Sequence, residues 1–333
     1  MQGLCRELRT IRGFCGSGAG PVPACLVPRG TAGSVYLGAM KRLVALLLAC
    51  VGSGCTRATP EPVPVSPPRA AQAPLVADKR LVAIGDLHGD LAATRRALQL
   101  AGALAADDHW AGGTLHVVQT GDTIDRGDQD REVLDLLDRL QGEAARAGGS
   151  LTVLSGNHEV MNVAADFRYV SQASANGFEM GRAKAFAPGG PYALRLARWP
   201  VSHQVGDSVF VHGGILPHHV RYGVEKLNRE TSQWMRGAGP LPALLMQEDA
   251  PIWTRMYSAP GVPNACIELA QALNALSAKR MVVGHTPQPS GINSACDGRV
   301  WRIDTGLSRY YGGPMQVLEI VADRVRVLSE PRL

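Results

Sequence analysis

The sequence predicts an α/β fold for residues 80–333. Short apolar runs alternate with longer segments of helical periodicity from residue 81 onward, which is the pattern of strands joined by helices. Several of the apolar runs are also followed by glycine and then by Asp, Asn or His. Loops that follow strand ends meet at one edge of a sheet, so we expect these polar residues to lie together there.

The first half of this domain contains three predicted strands and two predicted helices in alternation. The strands are 81–84, 115–118 and 151–154, and the helices are 91–103 and 131–147. Asp90 is placed to cap the first helix, and the glycine pair 148–149 is expected to end the second. The pattern therefore begins with two complete strand–helix units.

The second half is less regular. Residues 171–200 show no sustained periodicity, and we expect them to be irregular. The apolar runs after them predict strands at 208–211, 281–283, 301–303, 316–321 and 325–328, and a helix at 267–276.

Charge is distributed unevenly along the chain. Of the 34 Lys and Arg residues ten lie in 1–80, whereas only three of the 29 Asp and Glu residues do. The basic excess is therefore confined to the leader, and the rest of the chain is slightly acidic. This distribution argues against a nucleic-acid partner, because binding to phosphate backbones needs a basic surface on the folded domain.

The leader predicts an exported protein. Two basic residues and a short apolar run make 40–55 a signal peptide, so we expect translation to start at Met40 and 1–39 not to belong to the native protein. Cys50 and Cys55 each resemble the acylated cysteine of a bacterial lipoprotein. A periplasmic or membrane-anchored lipoprotein of a bacterium is the first interpretation, with plain secretion or an incidental apolar patch as alternatives. Residues 56–79 are proline-rich and predict a linker.

Only two of the seven cysteines, Cys266 and Cys296, lie beyond residue 60. They have no zinc-type spacing and are too few for a disulfide scaffold. Two buried thiols are the first interpretation. A single disulfide is the alternative if the compartment is oxidising.

Five stretches with ligand-type residues follow predicted strands. They contain Asp86 and His88, then Asp122, Asp125 and Arg126, then Asn157 and His158, then His212, and finally His285. Residues two apart in an extended segment point the same way, so we expect Asp86 and His88 to reach one ion. Oxygen and imidazole ligands without thiolate suit two divalent ions, with Mn²⁺ as first choice and Fe or Zn²⁺ as alternatives. Asp122 is the candidate carboxylate to bridge them.

Taken together, the motifs resemble those of the calcineurin-like metallophosphoesterases, in the phosphoprotein phosphatase branch. The motifs are Gly-Asp-x-His-Gly (85–89), Gly-Asp-x-x-Asp-Arg-Gly (121–127), Gly-Asn-His-Glu (156–159), His-Gly-Gly (212–214) and Gly-His (284–285). Within that branch, residues 156–170 and 303–308 are similar to the Shewanella-like protein phosphatases. The resemblance covers about residues 80–320. It implies an αββα sandwich of two mixed sheets with a dimetal site at the strand-end loops.

The resemblance also implies roles for the residues. Asp86, His88 and Asp122 would hold one metal ion, and Asp122, Asn157, His212 and His285 would hold the other. His158, oriented by Asp125, would protonate the leaving oxygen while a metal-bridging hydroxide attacks phosphorus in line. Arg126 would bind the phosphate, since its planar fork suits this. Arg255 is the expected second phosphate-binding arginine, with Arg168 as the alternative.

The predicted function is metal-dependent hydrolysis of phosphomonoesters on protein, with phosphotyrosine and phosphoserine/threonine both open. The partner is then a phosphorylated protein or peptide, and no segment for a regulatory subunit is recognisable. A dinucleoside tetraphosphate hydrolase is one alternative, against which the Asp125-Arg126 pair counts. A non-catalytic domain that binds phosphoproteins is another, which the loss of a ligand would favour. Tyr310 and Tyr311 either line the pocket or pack the last strands.

Overall fold

The computed structural model describes residues 80–330, so the predictions for 1–39, 40–55 and 56–79 lie outside the described residues. Ten strands occur in the described part. They are β1 (Leu81–Ile84), β2 (His116–Gln119), β3 (Ser150–Val153), β4 (Ser202–Val205), β5 (Ser208–Val211), β6 (Arg280–Val283), β7 (Asn293–Ala295), β8 (Val300–Arg302), β9 (Gln316–Val321) and β10 (Arg324–Ser329).

Helices connect and cover these strands. Those found between residues 80 and 330 are α1 (Leu91–Leu100), α2 (Asp130–Arg146), α3 (Asn157–Val163), α4 (Gln172–Ala175), α5 (Arg182–Phe186), α6 (Pro191–Leu196), α7 (Pro217–Tyr222), α8 (Val224–Met235) and α9 (Ala265–Ala275). None of them has both the length and the apolar character needed to cross a membrane.

The strands form two five-stranded mixed sheets. The first has the order β10-β9-β1-β2-β3. In it β1, β2 and β3 are parallel, β9 is antiparallel to β1, and β10 is antiparallel to β9. The second has the order β4-β5-β6-β8-β7, with β5, β6 and β8 parallel and the two edge strands antiparallel. Each sheet therefore has a parallel centre whose strand ends point to a common edge.

Alternation along the strands creates three apolar layers. In β1, Val82 and Ile84 pack with helices α1 and α2, whereas Leu81 and Ala83 pack against residues of the other sheet, including Phe210. The neighbours of Phe210 in β5 point to α9. Successive strand residues face opposite sides of a sheet, so each sheet has one face on its partner and one on helices. The predicted αββα sandwich is confirmed.

Most predicted elements are present, with ends shifted by up to three residues. Asp90 caps α1 as expected, accepting a hydrogen bond from the Ala93 backbone N–H at 2.9 Å. Residues 171–200, which were expected to be irregular, instead contain the short helices α4, α5 and α6. Such helices have only four to six residues, too few for an apolar periodicity to be recognised.

A disulfide joins Cys266 to Cys296. It links the first turn of α9 to the turn after β7. The first interpretation, two buried thiols, is wrong because the two chain segments bring their Cα atoms within 5.3 Å, close enough for a bridge.

Candidate metal centre

The predicted ligands converge where the parallel strands of both sheets end. They come from the loops after β1, β2, β3, β5 and β6. All six are buried, and none has more than 7% of its surface exposed: Asp86, His88, Asp122, Asn157, His212 and His285. Residues up to 199 positions apart in sequence thus share one enclosed site. The two most distant, Asp86 and His285, are joined by a hydrogen bond from the His285 backbone N–H to the Asp86 carboxylate.

The carboxylate of Asp122 lies at the centre of this site. Its Oδ1 accepts the His158 backbone N–H at 3.0 Å, which fixes the group on the N-terminus of α3. Its Oδ2 points into the cluster, 3.2 Å from His212 Nε2 and 4.0 Å from His88 Nε2. One oxygen therefore faces both sets of predicted ligands, the position that a bridging carboxylate needs.

Acceptor atoms face one another around His212. Its Nδ1 donates to the Thr120 carbonyl at 2.9 Å, so Nε2 of the neutral ring carries a lone pair. That Nε2 lies 2.9 Å from Asn157 Oδ1 and 3.1 Å from His285 Nδ1. Such a group of lone pairs is repulsive unless a proton or a cation lies between them. A backbone hydrogen bond on the outer ring nitrogen is also the usual support of a metal-bound histidine.

The pKa values of these groups agree with a cation site. Burial lowers the pKa of His88 to about 3, and burial with the nearby charge of His212 lowers that of His285 to about 2. Both rings are therefore neutral at pH 7 and able to bind a metal. Burial also opposes charge on His212, but the carboxylate of Asp122 outweighs it, and the pKa of His212 is raised. Positive charge is thus stabilised beside Asp122.

Two groups of side chains have the ligand atoms and spacing to hold a metal ion in this site. They are His88–Asp122–His158 and Asp122–His212–His285, each with ligand atoms within 4.8 Å of one another. They share Asp122, in agreement with a two-ion site. His158 was predicted as a proton donor and not as a ligand, so its place in the first group defines a direct test.

Backbone strain is concentrated at the same residues. Five of the twelve described non-glycine residues with positive φ are site residues: His88 (48°), Asp122 (55°), Asp125 (69°), Arg126 (70°) and His285 (68°). Such conformations are costly and are kept where surrounding structure enforces them. His88 therefore reaches the site from a turn, and the expectation that an extended segment aligns it with Asp86 is wrong.

Glu159 holds two of the site loops together. Its carboxylate accepts hydrogen bonds from the backbone N–H groups of Asp122, Thr123 and Gly156 at 2.8 to 2.9 Å, and from the Thr123 hydroxyl. A Cβ on Gly156 would lie 2.2 Å from Asp122 Oδ1. The loops after β2 and β3 consequently approach so closely that only glycine fits between them.

Comparison with known proteins identifies the family. Residues 79–289 match the family described as calcineurin-like phosphoesterase. The chain belongs to this family. Its members use divalent metal ions, and the convergent acceptor atoms around Asp122 Oδ2 provide a suitable site for them.

Several relatives of this phosphoesterase carry more specific names. The chain is 36% identical to Shewanella-like protein phosphatase 2 of Arabidopsis thaliana, over 75% of this chain and 78% of the relative. It is 32% identical to Shewanella-like protein phosphatase 1 of Plasmodium berghei, over 71% and 69%. Among solved structures, a cold-active protein tyrosine phosphatase is similar with a TM-score of 0.67 and 26% identity, over 75% of this chain and 76% of that one.

The proton-donor candidate of this phosphoesterase lies beside the acceptor atoms. His158 Nδ1 donates to Asp125 Oδ2 at 2.7 Å, and His158 Nε2 lies 3.8 Å from Asp122 Oδ2. Asn162 donates to both oxygens of Asp125 at 3.0 Å. Asn162 was not predicted, although its position four residues after His158 places both on one helix face.

Three tyrosines surround the mouth of the site. The guanidinium carbon of Arg126 lies 3.9 Å from the ring centre of Tyr169 and 5.1 Å from that of Tyr310, and Arg126 Nη1 donates to the Tyr310 hydroxyl at 3.1 Å. The Tyr311 ring is 5.1 Å from that of His88. Tyr310 and Tyr311 are exposed, so they line the entrance and do not pack the last strands. Tyr169 was not predicted.

The two candidates for a second phosphate-binding arginine differ in their partners. Arg168 forms an ion pair with Asp166 at 2.5 Å and points into solvent. Arg255 is also exposed, but within 80–330 its side chain has no ion pair, and its charge contributes to the lowered pKa of His285. Arg255 is therefore the better placed of the two to meet a phosphate.

A third group of ligand-type residues lies elsewhere, at His218, His219 and Asp249. His219 Nδ1 accepts the Leu216 backbone N–H at 3.0 Å. In the neutral ring the proton is therefore on Nε2. Nδ1 is occupied by the hydrogen bond and Nε2 by the proton, so neither nitrogen is free to bind a metal ion. We interpret His219 as a cap of α7.

Proposed function

We propose that this phosphoesterase is a metal-dependent protein phosphatase that hydrolyses phosphomonoesters, with phosphotyrosine as its preferred substrate. The observation that carries the proposal is the position of Asp122 Oδ2. This single oxygen faces His88 on one side and His212 on the other, and His158 approaches it with Nε2. Acceptors for cations and a proton donor thus share one centre.

The cofactors we propose are two divalent ions, with Mn²⁺ first and Fe or Zn²⁺ as competitors. Asp86, His88 and Asp122 would hold one, and Asp122, Asn157, His212 and His285 the other. When bound, such ions neutralise the charge of a phosphate ester and lower the pKa of water.

The protein side chains have separate tasks in this proposal. Burial disfavours the charged form of His158, but the carboxylates of Asp122 and Asp125 outweigh it and raise its pKa. His158 can therefore keep a proton on Nε2 and transfer it to the leaving oxygen as the bond from phosphorus to that oxygen breaks. Asp125 fixes the ring through Nδ1. Arg126 and Arg255 bind the phosphoryl oxygens.

The preference for phosphotyrosine is supported by the entrance. Tyr169, Tyr310 and Tyr311 lie around the site, and aromatic rings pair favourably with one another, so these rings can pack on the ring of a phosphotyrosine. A structurally similar protein is named a protein tyrosine phosphatase. An aliphatic phosphoserine side chain would gain no such contact.

The test uses the full chain, stripped of metal and resupplied with Mn²⁺. Phosphate release is measured from phosphotyrosine peptides, phosphoserine/threonine peptides and diadenosine tetraphosphate. We expect metal-dependent release that is fastest with phosphotyrosine. Faster release from phosphoserine or phosphothreonine would overturn the preference, and activity only on the dinucleotide would favour the hydrolase alternative. Binding of phosphopeptide without turnover would indicate a non-catalytic domain.

We further propose that the protein is exported and lipid-anchored at Cys50 or Cys55. The signal-like segment 40–55 and the disulfide between Cys266 and Cys296 support export, because disulfides persist in oxidising compartments. Labelling with radioactive palmitate and membrane fractionation test the anchor. Unlabelled protein outside the membrane fraction would indicate plain secretion instead.

A further inference from the structure

Arg182 is a buried arginine behind the candidate metal centre. It lies at the start of α5, in the segment between α3 and β4, and only 5% of its surface is exposed. Removing a guanidinium from water costs several kcal/mol unless its donors and its charge are well paired. The partners of Arg182 therefore indicate why the cation is there.

The donors of Arg182 reach four side chains. Nη2 lies 2.8 Å from Asp125 Oδ1 and 2.8 Å from Asp130 Oδ2. Nε donates to Asn162 Oδ1 at 2.7 Å, and Nη1 donates to Ser174 Oγ at 2.9 Å. All three guanidinium nitrogens thus donate to side-chain acceptors, which hold the group in one orientation.

Two aromatic rings complete the enclosure. The guanidinium carbon lies 5.2 Å from the ring centre of Phe178 and 4.9 Å from that of Phe186. These rings cover the ion pair, and the Coulomb attraction between its charges is larger away from water.

Arg182 and His158 each bind one oxygen of the Asp125 carboxylate. Oδ1 of Asp125 accepts from Arg182, and Oδ2 accepts from His158 Nδ1 at 2.7 Å. Asn162, which itself accepts from Arg182, donates to both oxygens. Rotation of the carboxylate would break several of these bonds at once, so the plane of Asp125 is set by Arg182 and the imidazole is set by Asp125.

We propose that Arg182 is a positioning residue for proton donation by His158, acting through Asp125 across a dry ion pair. It does not touch the substrate. The inference rests on the proposed function, because it assigns Arg182 to the proton-transfer step of that reaction. Helix α5 thus supplies the residue that orients the donor.

The nature of the leaving group distinguishes this role from a purely structural one. A water oxygen bonds to phosphorus and loses a proton as the bond from phosphorus to the ester oxygen breaks. The electron pair of the broken bond stays on the ester oxygen, which receives the Nε2 proton of His158. Phenolate is a basic leaving group and needs this proton. Dinitrophenolate is a stable anion and leaves without it. A misplaced His158 therefore slows phenyl phosphate much more than 2,4-dinitrophenyl phosphate.

The variant Arg182→Lys tests the proposal in the full chain with Mn²⁺. Lysine keeps the charge but lacks the planar fork that contacts Asp125 and Asn162 together. We expect kcat on phenyl phosphate to fall about tenfold or more relative to kcat on 2,4-dinitrophenyl phosphate, as for other residues that orient a reacting group. An equal loss on both substrates, or no loss, would overturn the proposal.

Arg195→Lys is the matched control. Arg195 lies in the neighbouring helix α6, forms ion pairs with Asp135 and Asp138, and lies 4.9 Å from the ring centre of Tyr192. It shares the chemistry of Arg182 without contacting Asp125. We expect its ratio of the two kcat values to equal that of the wild type, and a tenfold fall here too would overturn the assignment to Arg182.

A milder variant covers the case in which Arg182→Lys does not fold. Ser174→Ala removes the acceptor of Nη1 and leaves the guanidinium in place. We expect the same ratio of kcat values to fall by about threefold, the loss of one hydrogen bond. An unchanged ratio in a folded Ser174→Ala protein would count against the proposal.

A spectroscopic measurement separates this inference from the proposed function. The His158 Nδ1–H proton, hydrogen-bonded to Asp125, is followed by NMR in the metal-free protein and assigned through its loss in His158→Asn. We expect it to shift or disappear in Arg182→Lys and to remain in Arg195→Lys. If the wild type hydrolyses neither ester but this pattern appears, the proposed function fails and the positioning holds. An unchanged resonance in Arg182→Lys would overturn the positioning itself.

Discussion

Two groups of side chains meet at Asp122 and differ in how their charges are balanced. The acceptor cluster consists of Asp86, His88, Asp122, Asn157, His212 and His285, and its oxygen and nitrogen lone pairs face one another. The donor group consists of Asp125, His158, Asn162 and Arg182, and its donors and acceptors are matched within the protein.

The buried carboxylates of the two groups have different surroundings. Burial, together with the nearby carboxylates of Asp304 and Asp122, raises the pKa of Asp86. Asp125 is equally buried but lies 2.8 Å from Arg182. The acceptor cluster therefore offers its oxygen and nitrogen atoms to a cation, whereas the donor group is organised by the protein alone.

The largest effect is expected from Asp122→Asn, which breaks the acceptor cluster at its centre. An amide replaces the one anionic oxygen shared by both ligand sets, so we expect loss of metal and a fall in turnover of about 1,000-fold or more, since such ions contribute several kcal/mol. Metal content and kcat measure this. Asp138→Asn, a carboxylate outside the site that pairs with Arg195, should retain both, and wild-type rates in Asp122→Asn would refute the bridging role.

His158→Asn should break the donor group and leave the acceptor cluster intact. Loss of a general acid lowers kcat by about 100-fold or more, while metal content, measured by mass spectrometry of the purified protein, stays near the wild-type value. Departure of the metal would instead make His158 a ligand, as its place beside His88 and Asp122 allows. His158 would then belong to the acceptor cluster.

The two groups also differ in how far the sequence predicts them. The acceptor cluster follows from ligand-type residues recurring after apolar strands, and its six side chains are buried together at the strand ends. Arg182 could not be predicted in this way, because it lies in a five-residue helix without periodicity and 57 positions from Asp125. The contact of Arg182 with Asp125 depends on tertiary packing against Phe178 and Phe186, which local sequence patterns do not describe. The left-handed turn at His88 was missed for a related reason, since tertiary contacts enforce it.

A smaller effect on the acceptor cluster is expected from Glu159→Gln. The amide keeps the size of Glu159 but can accept fewer of the four hydrogen bonds that hold the loops after β2 and β3. We expect metal affinity to weaken by about tenfold, as for other residues that support metal ligands, with kcat restored at saturating Mn²⁺.

Calorimetric titration with Mn²⁺ measures that affinity. Glu143→Gln is the matched control, because Glu143 also accepts a backbone N–H, that of Trp110, at a site remote from the cluster. Unchanged affinity in Glu159→Gln, or an equal loss in both variants, would remove the supporting role of Glu159.

The smallest effect on turnover is expected from removal of the disulfide, which lies outside both groups. Replacing Cys266 and Cys296 with serine frees a loop of 30 residues, which in the chain-entropy account costs about 3 to 4 kcal/mol of unfolding free energy and about 10 °C in Tm. We expect kcat and metal content to remain within twofold of the wild type at 25 °C. The acceptor cluster lies at the strand ends and the donor group on α3, α5 and the loop after β2, whereas the disulfide ties α9 to the turn after β7. A folded variant with kcat or metal content well below the wild type at 25 °C would mean that the metal centre is coupled to α9.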